Sequence, residues 1–308
     1  MSRGFIRPPR LKKGDTVGII SPSSPPNLEQ LDRSLAFLET LGLKWKMGQA
    51  VRNKNRYLAG TDDERLSDLH AMFEDPEVKG IICAGGGYGS ARYLDRIDYP
   101  MIRENPKIFW GYSDITALHT AISQYSDLVT FHGPMLASDA GKPDFHPLSA
   151  RMFGQLFEPV ELHYDETVSP LVSLSGGSAL GPLSGGNLSL ISASLGTKFA
   201  PVFDGVVLLI EDVDEPPYKV DAMLNQLRLS GALSRVAGVA IGDFRYPKDH
   251  KGDHTYEDVF DGFFRDFDKP VVSGFKIGHC QPHFAVPLGT QALLDADART
   301  LTVLPGIE

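Results

Sequence analysis

Hydrophobic and polar positions alternate between two patterns in the first half of the chain. Short apolar runs that stop at turns or glycines are typical of buried strands, and they cover residues 15–20, 78–84 and 108–110. Elsewhere apolar residues recur every three or four positions, a pattern that predicts helices over residues 27–41, 62–73 and 114–125. Strands and helices in this order favour a parallel sheet covered by helices, that is, a Rossmann-like α/β domain.

The second half of the chain has a different pattern. Residues 155–180 are rich in Ser, Gly, Pro and β-branched residues and have little helical period, so we interpret them as a linker. Beyond this segment, residues 181–194 contain glycine-rich turns and a short helix. Apolar runs then predict strands over residues 206–210, 236–241, 271–272 and 301–304, with a further helix over 218–229. The sequence therefore predicts a Rossmann-like domain over residues 1–154 and a β-rich C-terminal domain over residues 181–308.

Composition and charge exclude several classes of protein. The chain has 308 residues, of which 42% are hydrophobic and 22% charged, so a disordered chain is excluded. A net charge of −9 disfavours nucleic acid and anionic membranes as partners. Two cysteines, Cys83 and Cys280, exclude a disulfide framework and fit a reducing compartment. Neither a signal peptide nor a membrane-spanning run is recognisable, so we expect a cytoplasmic protein.

Two turns at the ends of predicted strands carry groups suited to catalysis. The glycine-rich loop at residues 85–90 can turn its N–H groups toward an oxyanion, whereas the glycine spacing of a dinucleotide site is not met. Ser113 ends the strand at 108–110 and opens a helix, which would present its hydroxyl as a nucleophile elbow does, although Ile115 replaces the usual glycine. The alternatives are an ordinary tight turn for the loop and a helix cap for Ser113 or Asp114.

A nucleophilic serine needs a base and an acid that orients the base. Of nine histidines, His132 and His279 follow strands beside glycines and can reach a cleft. Four others lie in polar or amphipathic stretches and are expected in solvent: His70, His146, His250 and His254. Glu211 ends an apolar strand, where a buried carboxylate needs a partner such as histidine.

An acidic run follows Glu211, and we interpret it as a solvated loop formed by Asp212, Asp214 and Glu215. The alternative is a metal site that combines this run with His254. The histidines lack the spacing of metal ligands such as H-E-x-x-H, so we expect no metal.

Taken together and in order, these segments are similar to the L,D-carboxypeptidase family of serine peptidases, which also contains the microcin C self-immunity peptidases. Matching segments are spread over nearly the whole chain: residues 15–22, 57–65, 68–69, 86–90, 111–118, 131–134, 185–190, 211–212, 217–218, 278–279 and 287–289.

The resemblance implies a role for each candidate residue. Ser113 in the N-terminal domain matches the nucleophile, while Glu211 and His279 in the C-terminal domain match the acid and the base, with the active site between the two domains. The backbone N–H groups that match the oxyanion hole belong to Asp114 and to Gly86 or Gly87.

The resemblance also implies a substrate class. The family hydrolyses peptides of mixed stereochemistry, often removing the terminal D-alanine of murein tetrapeptides during cell-wall recycling. No metal or organic cofactor is implied, and homodimers are usual. One residue departs from the pattern, since many murein-cleaving members carry an arginine where Gly85 stands here. Another cation would then bind a substrate carboxylate, the candidates being Arg92, Lys219 and Arg245.

Three alternatives remain at this point. A related amide is the first, such as a microcin-type acyl-aspartyl nucleotide or an L-Ala-D-Glu murein fragment. The two tryptophans, Trp45 and Trp110, lie outside the second-domain loops, which disfavours nucleotide binding by indole stacking. A non-catalytic binder of cell-wall peptides is the second alternative, and a nucleotide-dependent oxidoreductase is the third.

Overall fold

A computed structural model of the protein describes residues 4–246 and 255–308. Contacts divide the chain into two compact units. Unit 1 contains the chain up to Val160 together with Gln281–Gly289 and Pro305–Glu308, and unit 2 contains Glu161–Cys280 and Thr290–Leu304. Every helix in the described ranges is too short or too polar to span a lipid bilayer.

The described residues form fourteen strands and nine α-helices. In chain order, the strands are β1 (Thr16–Ile20), β2 (Lys44–Met47), β3 (Val78–Cys83), β4 (Ile108–Gly111), β5 (Thr130–His132), β6 (Leu162–Tyr164), β7 (Val172–Ser175), β8 (Ser178–Asn187), β9 (Val207–Val213), β10 (Gly238–Arg245), β11 (Val271–Ser273), β12 (Val286–Leu288), β13 (Gln291–Asp295) and β14 (Thr300–Val303). The helices are α1 (Leu28–Thr40), α2 (Asp62–Glu74), α3 (Tyr99–Glu104), α4 (Thr116–Ser126), α5 (Pro147–Met152), α6 (Leu188–Ser194), α7 (Pro217–Leu229), α8 (Ala232–Arg235) and α9 (Tyr256–Phe264).

Unit 1 is built on a six-stranded sheet in the order β12-β5-β4-β3-β1-β2. The five strands β1 to β5 pair in parallel, and β12 adds an antiparallel edge beside β5. Its central strands are apolar on both faces because the crossover helices cover them. Trp110 stacks on Phe131 and Phe153, with ring centroids 5.6 and 4.8 Å away. The Rossmann-like domain predicted from the sequence is confirmed.

Unit 2 is built on an eight-stranded sheet in the order β6-β14-β13-β8-β9-β10-β11-β7. Its middle four strands, β8 to β11, pair in parallel, while the flanking strands are antiparallel. Helices α6, α7, α8 and α9 contribute apolar side chains to a core with the central strands, including Val220, Leu224 and Phe260. The β-rich character of this half is confirmed, and its centre is more parallel than the sequence pattern indicates.

The two units differ in extent from the predicted domains. The segment interpreted as a linker contains β6 and β7, which form the two edges of the sheet in unit 2. Residues 281–289 and 305–308 belong to unit 1 although they follow most of unit 2 in sequence. Ala285 and Ile307 are buried in the core of unit 1, and this burial explains why both segments belong to it.

Candidate active site

The backbone of unit 1 makes a sharp turn where β4 ends and α4 begins. Ser113 lies in this turn with a φ of 67°, in the left-handed region that residues other than glycine rarely adopt. The N–H of Ile115 donates to the carbonyl of Tyr112 at 3.3 Å and closes the turn. A serine held in this conformation at a strand end has the backbone geometry of a nucleophile elbow.

The glycine-rich loop after β3 lies directly against this serine. A Cβ atom on Gly86 would stand 3.0 Å from the Cβ and 3.1 Å from the Oγ of Ser113. At Gly87, where φ is 111°, a Cβ would stand 2.4 Å from the Oγ of Ser24. Only glycine allows the loop backbone to come this close to the serine and to the β1–α1 connection. The structure therefore brings together Ser113, Gly86 and the neighbouring Gly87.

Asp114, the residue after the serine, is buried and does not act as a helix cap. Its carboxyl Oδ2 accepts hydrogen bonds from the Ser23 hydroxyl at 2.5 Å and from the Ser90 N–H at 2.8 Å. The Ser90 hydroxyl in turn donates to the Asp114 carbonyl at 2.6 Å. The side chain of Asp114 thus connects three loops of unit 1, rather than capping α4 as the alternative from the sequence has it.

Unit 2 brings together the other two predicted residues, Glu211 and His279. The carboxyl Oε2 of Glu211 lies 2.7 Å from Nδ1 of His279. The Glu211 side chain is completely buried, whereas that of His279 is 15% exposed. Since a carboxylate can only accept, Nδ1 carries the proton and Nε2 is left as the basic nitrogen of the ring. The strand-end carboxyl has the histidine partner that the sequence predicts.

Gly278 allows this pair to form. Its φ is 122°, and a Cβ there would stand 2.5 Å from Oε2 of Glu211. Any larger residue would occupy the space of the carboxyl group itself. The backbone just before His279 therefore passes close to the Glu211 carboxyl, and only glycine fits at position 278.

Asp212 corrects one expectation from the sequence, because it is buried and not part of a solvated loop. Its carboxyl accepts hydrogen bonds from the Asn187 amide at 3.0 Å and from the Ser189 N–H and hydroxyl at 2.9 and 2.7 Å. Burial raises the pKa of Asp212 above its ordinary value, and these donors oppose that rise. Asp214, two residues on, is exposed as expected.

Three histidines cluster inside unit 1: His119, His132 and His283. The sequence analysis singled out only His132 as a candidate. His132, expected at a cleft, is fully buried in β5, and its ring lies 5.5 Å from that of His283 and 6.5 Å from that of His119. Tyr112, beside the serine, packs 4.6 Å from the His283 ring. Burial lowers the pKa of His119 to about 4, although its Nε2 lies 2.8 Å from the Gly111 carbonyl. His119 and His283 carry no motif that could have revealed their burial.

The histidines expected in solvent have other surroundings. His70 is half-buried, its Nε2 accepts the N–H of Asp98 at 3.0 Å, and burial lowers its pKa. His146 is also half-buried, and its Nδ1 caps α5 by accepting the N–H of Leu148 at 3.1 Å. Both are corrections, since each ring serves as a local hydrogen-bond acceptor. His250 and His254 lie outside the described residues, and so does the metal site suggested with His254.

The cations considered as substitutes for the missing arginine have different surroundings. Arg92 follows the glycine-rich loop in unit 1, and its Nε donates to both carboxyl oxygens of Asp62, at 2.9 and 3.1 Å. Lys219 and Arg245 belong to unit 2 and are exposed. Among the described residues, no group of three or more His, Cys, Asp and Glu side chains is arranged to hold a metal ion.

A parallel α/β unit that presents a serine elbow, and a second unit that carries a carboxyl–imidazole pair, define a hydrolase of the serine-peptidase type. The chain belongs to the LD-carboxypeptidase family. The sequence model of the family's N-terminal domain matches residues 17–133, and the model of the family's C-terminal domain matches residues 180–294. The family predicted from the sequence is confirmed, and the protein is a carboxypeptidase.

Relatives with whole-chain similarity carry names of two kinds. A protein of Bacillus subtilis (strain 168) named probable murein peptide carboxypeptidase is 50% identical over 303 residues, which are 98% of this chain and 95% of that protein. The solved structure of a muramoyltetrapeptide carboxypeptidase from Oxalobacter formigenes has a TM-score of 0.83 at 27% identity, over 94% of this chain and 97% of that one. The microcin C7 self immunity protein MccF, solved with aspartyl sulfamoyl adenosine, has a TM-score of 0.88 at 25% identity, over 97% and 98%.

Proposed function

We propose that the protein removes the terminal D-alanine from murein tetrapeptides, with Ser113 as the nucleophile. The observation that carries this proposal is the left-handed backbone of Ser113 at the end of β4, with the glycine-rich loop packed against it. The name of the relative with 50% identity supports murein peptides as the substrate class.

The proposed reaction passes through an acyl-enzyme. His279, held in one tautomer by Glu211, takes the proton from the Ser113 hydroxyl as the oxygen attacks the scissile carbonyl. The protonated imidazole then gives that proton to the amino group of the departing D-alanine. Water hydrolyses the ester with His279 again as the base. The buried carboxyl of Glu211, 2.7 Å from Nδ1, supports the orienting role of that residue.

The proposed oxyanion hole consists of backbone donors in unit 1. Asp114 contributes one N–H, and Gly86 or Gly87 contributes the other. The approach of the Gly86 backbone to Ser113 supports this assignment, because donors must lie about 3 Å from the developing oxyanion. The first turn of α4 adds the positive potential of a helix N-terminus.

We also propose that one of three cations, Arg92, Lys219 or Arg245, binds the carboxylate of the substrate. All three side chains are exposed, but that of Arg92 is engaged with Asp62 through two hydrogen bonds. We therefore favour the two cations of unit 2 over Arg92. Substituting each with methionine should raise KM for the tetrapeptide only at the residue that binds the carboxylate.

A second candidate substrate is an acyl-aspartyl nucleotide of the microcin type. The similarity to the MccF structure solved with aspartyl sulfamoyl adenosine favours it. The same triad would hydrolyse that amide, so the two candidates differ only in substrate. Cytoplasmic location, a role in cell-wall recycling and a homodimeric state belong to the proposal too, and rest on the family resemblance and the low cysteine content.

Mass spectrometry of an L-Ala-D-Glu-meso-diaminopimelate-D-Ala tetrapeptide tests the proposal. Wild type, Ser113→Ala and Ser138→Ala are compared, because Ser138 is a second serine close to the loop at Gly85. Release of D-alanine by wild type and Ser138→Ala, but not by Ser113→Ala, is the expected result.

Two other results would revise the proposal. If the tetrapeptide stays intact while a fluorophosphonate labels Ser113, the enzyme has another substrate, and aspartyl sulfamoyl adenosine is tried next. If Ser113→Ala releases D-alanine at the wild-type rate, Ser113 is not the nucleophile.

A further inference from the structure

The loop that carries the proposed oxyanion donor Gly86 needs external support. Gly87 and Gly89 both have positive φ values, of 111° and 120°, and glycine has more backbone freedom than any other residue. An oxyanion hole works only when its donors are fixed before the reaction begins. The hydrogen bonds around the loop show which side chains could fix it.

Asp114 is the first of these side chains. It is 2% exposed, and its Oδ2 accepts from the N–H of Ser90, the residue that ends the loop, at 2.8 Å. The same oxygen accepts from the hydroxyl of Ser23 at 2.5 Å. Asp114 also supplies one of the two proposed oxyanion N–H groups. Its backbone would therefore bind the oxyanion, while its carboxyl bonds to the loop that supplies the other donor.

The segment at Ser23 and Ser24 extends this connection to Gly86. The N–H of Ser24 donates to the Gly86 carbonyl at 3.2 Å, and the Ser24 hydroxyl accepts the N–H of Tyr88 at 3.1 Å. The Asp114 carboxyl therefore fixes one end of the loop directly and its middle through two serines.

Arg65 bonds to the same end of the loop, at Gly89. Its guanidinium is fully buried and donates to the carbonyls of Pro22 at 2.5 Å and Gly89 at 2.9 Å. One end of the loop thus bonds to a buried carboxyl at Ser90 and to a buried guanidinium at Gly89. Only the carboxyl belongs to the residue that follows the proposed nucleophile.

We propose that the carboxyl of Asp114 is a positioning group that fixes the glycine-rich loop at the distance from Ser113 that the oxyanion hole requires. It acts through Ser90, Ser23 and Ser24 and does not touch substrate. This inference rests on the proposed function, because it presumes that Ser113 is the nucleophile and that Gly86 or Gly87 donates to the oxyanion.

Asp114→Asn is the variant that tests the inference. The amide keeps the size of the side chain. Ser23 and Ser90 both donate to Oδ2, so the single oxygen of the amide can take both bonds, but only as the weaker acceptor of a neutral group. We expect kcat to fall roughly 10- to 100-fold, in the range of one charge-assisted hydrogen bond or one oxyanion donor. KM for the tetrapeptide should stay within about twofold, since ground-state contacts are unchanged.

Asp68→Asn is the matched control. Asp68 is also a buried carboxyl of unit 1 and accepts two backbone N–H groups, from Gln49 and Ala50, both at 2.8 Å. It supports the turn after β2, which is the edge strand farthest from β12. Asp68→Asn should lower the melting temperature about as much as Asp114→Asn while leaving kcat near that of wild type.

Ser23→Ala gives a second test in case Asp114→Asn does not fold. It removes one donor to the carboxyl, and kcat should fall by roughly threefold or more with KM unchanged. In the double variant of Asp114→Asn and Ser23→Ala, the serine substitution should lower kcat by a smaller factor than it does in wild type, because the two side chains act through one hydrogen bond.

The outcomes separate this inference from the proposed function. An inactive Ser113→Ala together with wild-type kcat in Asp114→Asn or Ser23→Ala would overturn the positioning role alone. An equal loss of kcat in Asp68→Asn would also overturn it, since the effect would then be one of stability. An active Ser113→Ala would refute the nucleophile itself and the positioning role with it.

Discussion

Gly86→Ala offers the sharpest test of the loop geometry, because it adds one carbon atom at the closest approach to Ser113. The added Cβ would stand 3.0 Å from the Ser113 Cβ and 3.1 Å from its Oγ. Carbon atoms in contact are ordinarily about 3.5–4.0 Å apart, so the overlap amounts to roughly half an ångström or more. The backbone φ of Gly86 is not in the left-handed region, so crowding is the only source of strain.

The loop, and not the serine, should give way. Ser113 is held at φ 67° in a turn that the Ile115–Tyr112 hydrogen bond closes, whereas the loop consists largely of glycine. A displacement of about half an ångström moves the proposed oxyanion donor away from the developing charge. We expect kcat for the tetrapeptide to fall roughly 100-fold, as it does when one oxyanion donor is removed.

Gly85→Ala is the control, one residue earlier in the same loop. Its Cβ would meet the Oγ of Ser138 at 3.0 Å, and a hydroxyl at the end of a side chain can rotate away. Its kcat should stay within about threefold of wild type. Steady-state kinetics of D-alanine release, with circular dichroism to verify folding, measures both variants. A folded Gly86→Ala enzyme with wild-type kcat would show that this loop does not hold the oxyanion.

Two further predictions concern groups that burial controls. Glu211→Gln should lower kcat at least about 100-fold with little change in KM, because a carboxamide no longer fixes the Nδ1–H tautomer of His279. A rate near that of wild type at pH 8 would contradict the proposed triad. Burial lowers the pKa of His119 from 6.5 to about 4 in the folded state, so its ring stays neutral there between pH 7 and 5. The unfolded chain takes up a proton at this residue over the same range. The free energy of unfolding of wild type should therefore fall by about 2 kcal/mol between pH 7 and 5. Urea unfolding at both pH values should show a smaller loss in His119→Gln, and an equal loss would contradict the assignment.

The strand-end positions of the site could be predicted from the sequence because they depend on local pattern. The apolar run of β4 stops at Gly111, so the following Ser113 had to lie in a turn at the edge of the sheet. Glu211 continues an apolar run, and a carboxyl there requires a partner. Short-range rules of this kind identified both halves of the candidate site.

Features that depend on distant residues escaped prediction. The burial of Asp114 is set by Ser23 and Ser90, which are 91 and 24 residues away in the chain. As a sequence pattern, Asp114 resembled a helix cap, and only the tertiary structure shows its carboxyl to be used elsewhere. His119 and His283 likewise each pack against His132 through contacts that no periodicity records.

The segment at residues 155–180 failed for a different reason. Its strands β6 and β7 lie at the edges of their sheet. β6 has only three residues, of which the middle one is exposed, and all four residues of β7 are at least partly exposed, so neither has the apolar run that marks a buried strand. Ser169 and Pro170 between them, and Gly176 and Gly177 after β7, resemble a flexible connection. Edge strands depend on their neighbours for hydrogen bonds more than on their own composition.

The late return of the chain to unit 1 has a consequence for biosynthesis. As the polypeptide leaves the ribosome, the strands β1 to β5 emerge long before β12, which pairs with β5, and before Ile307, which joins the same core. Until those residues are made, β5 remains an open edge able to pair with another nascent chain. Unit 1, which bears Ser113, thus begins to emerge before unit 2 and is completed only after it, and a fragment cut after residue 154 would keep that open edge permanently.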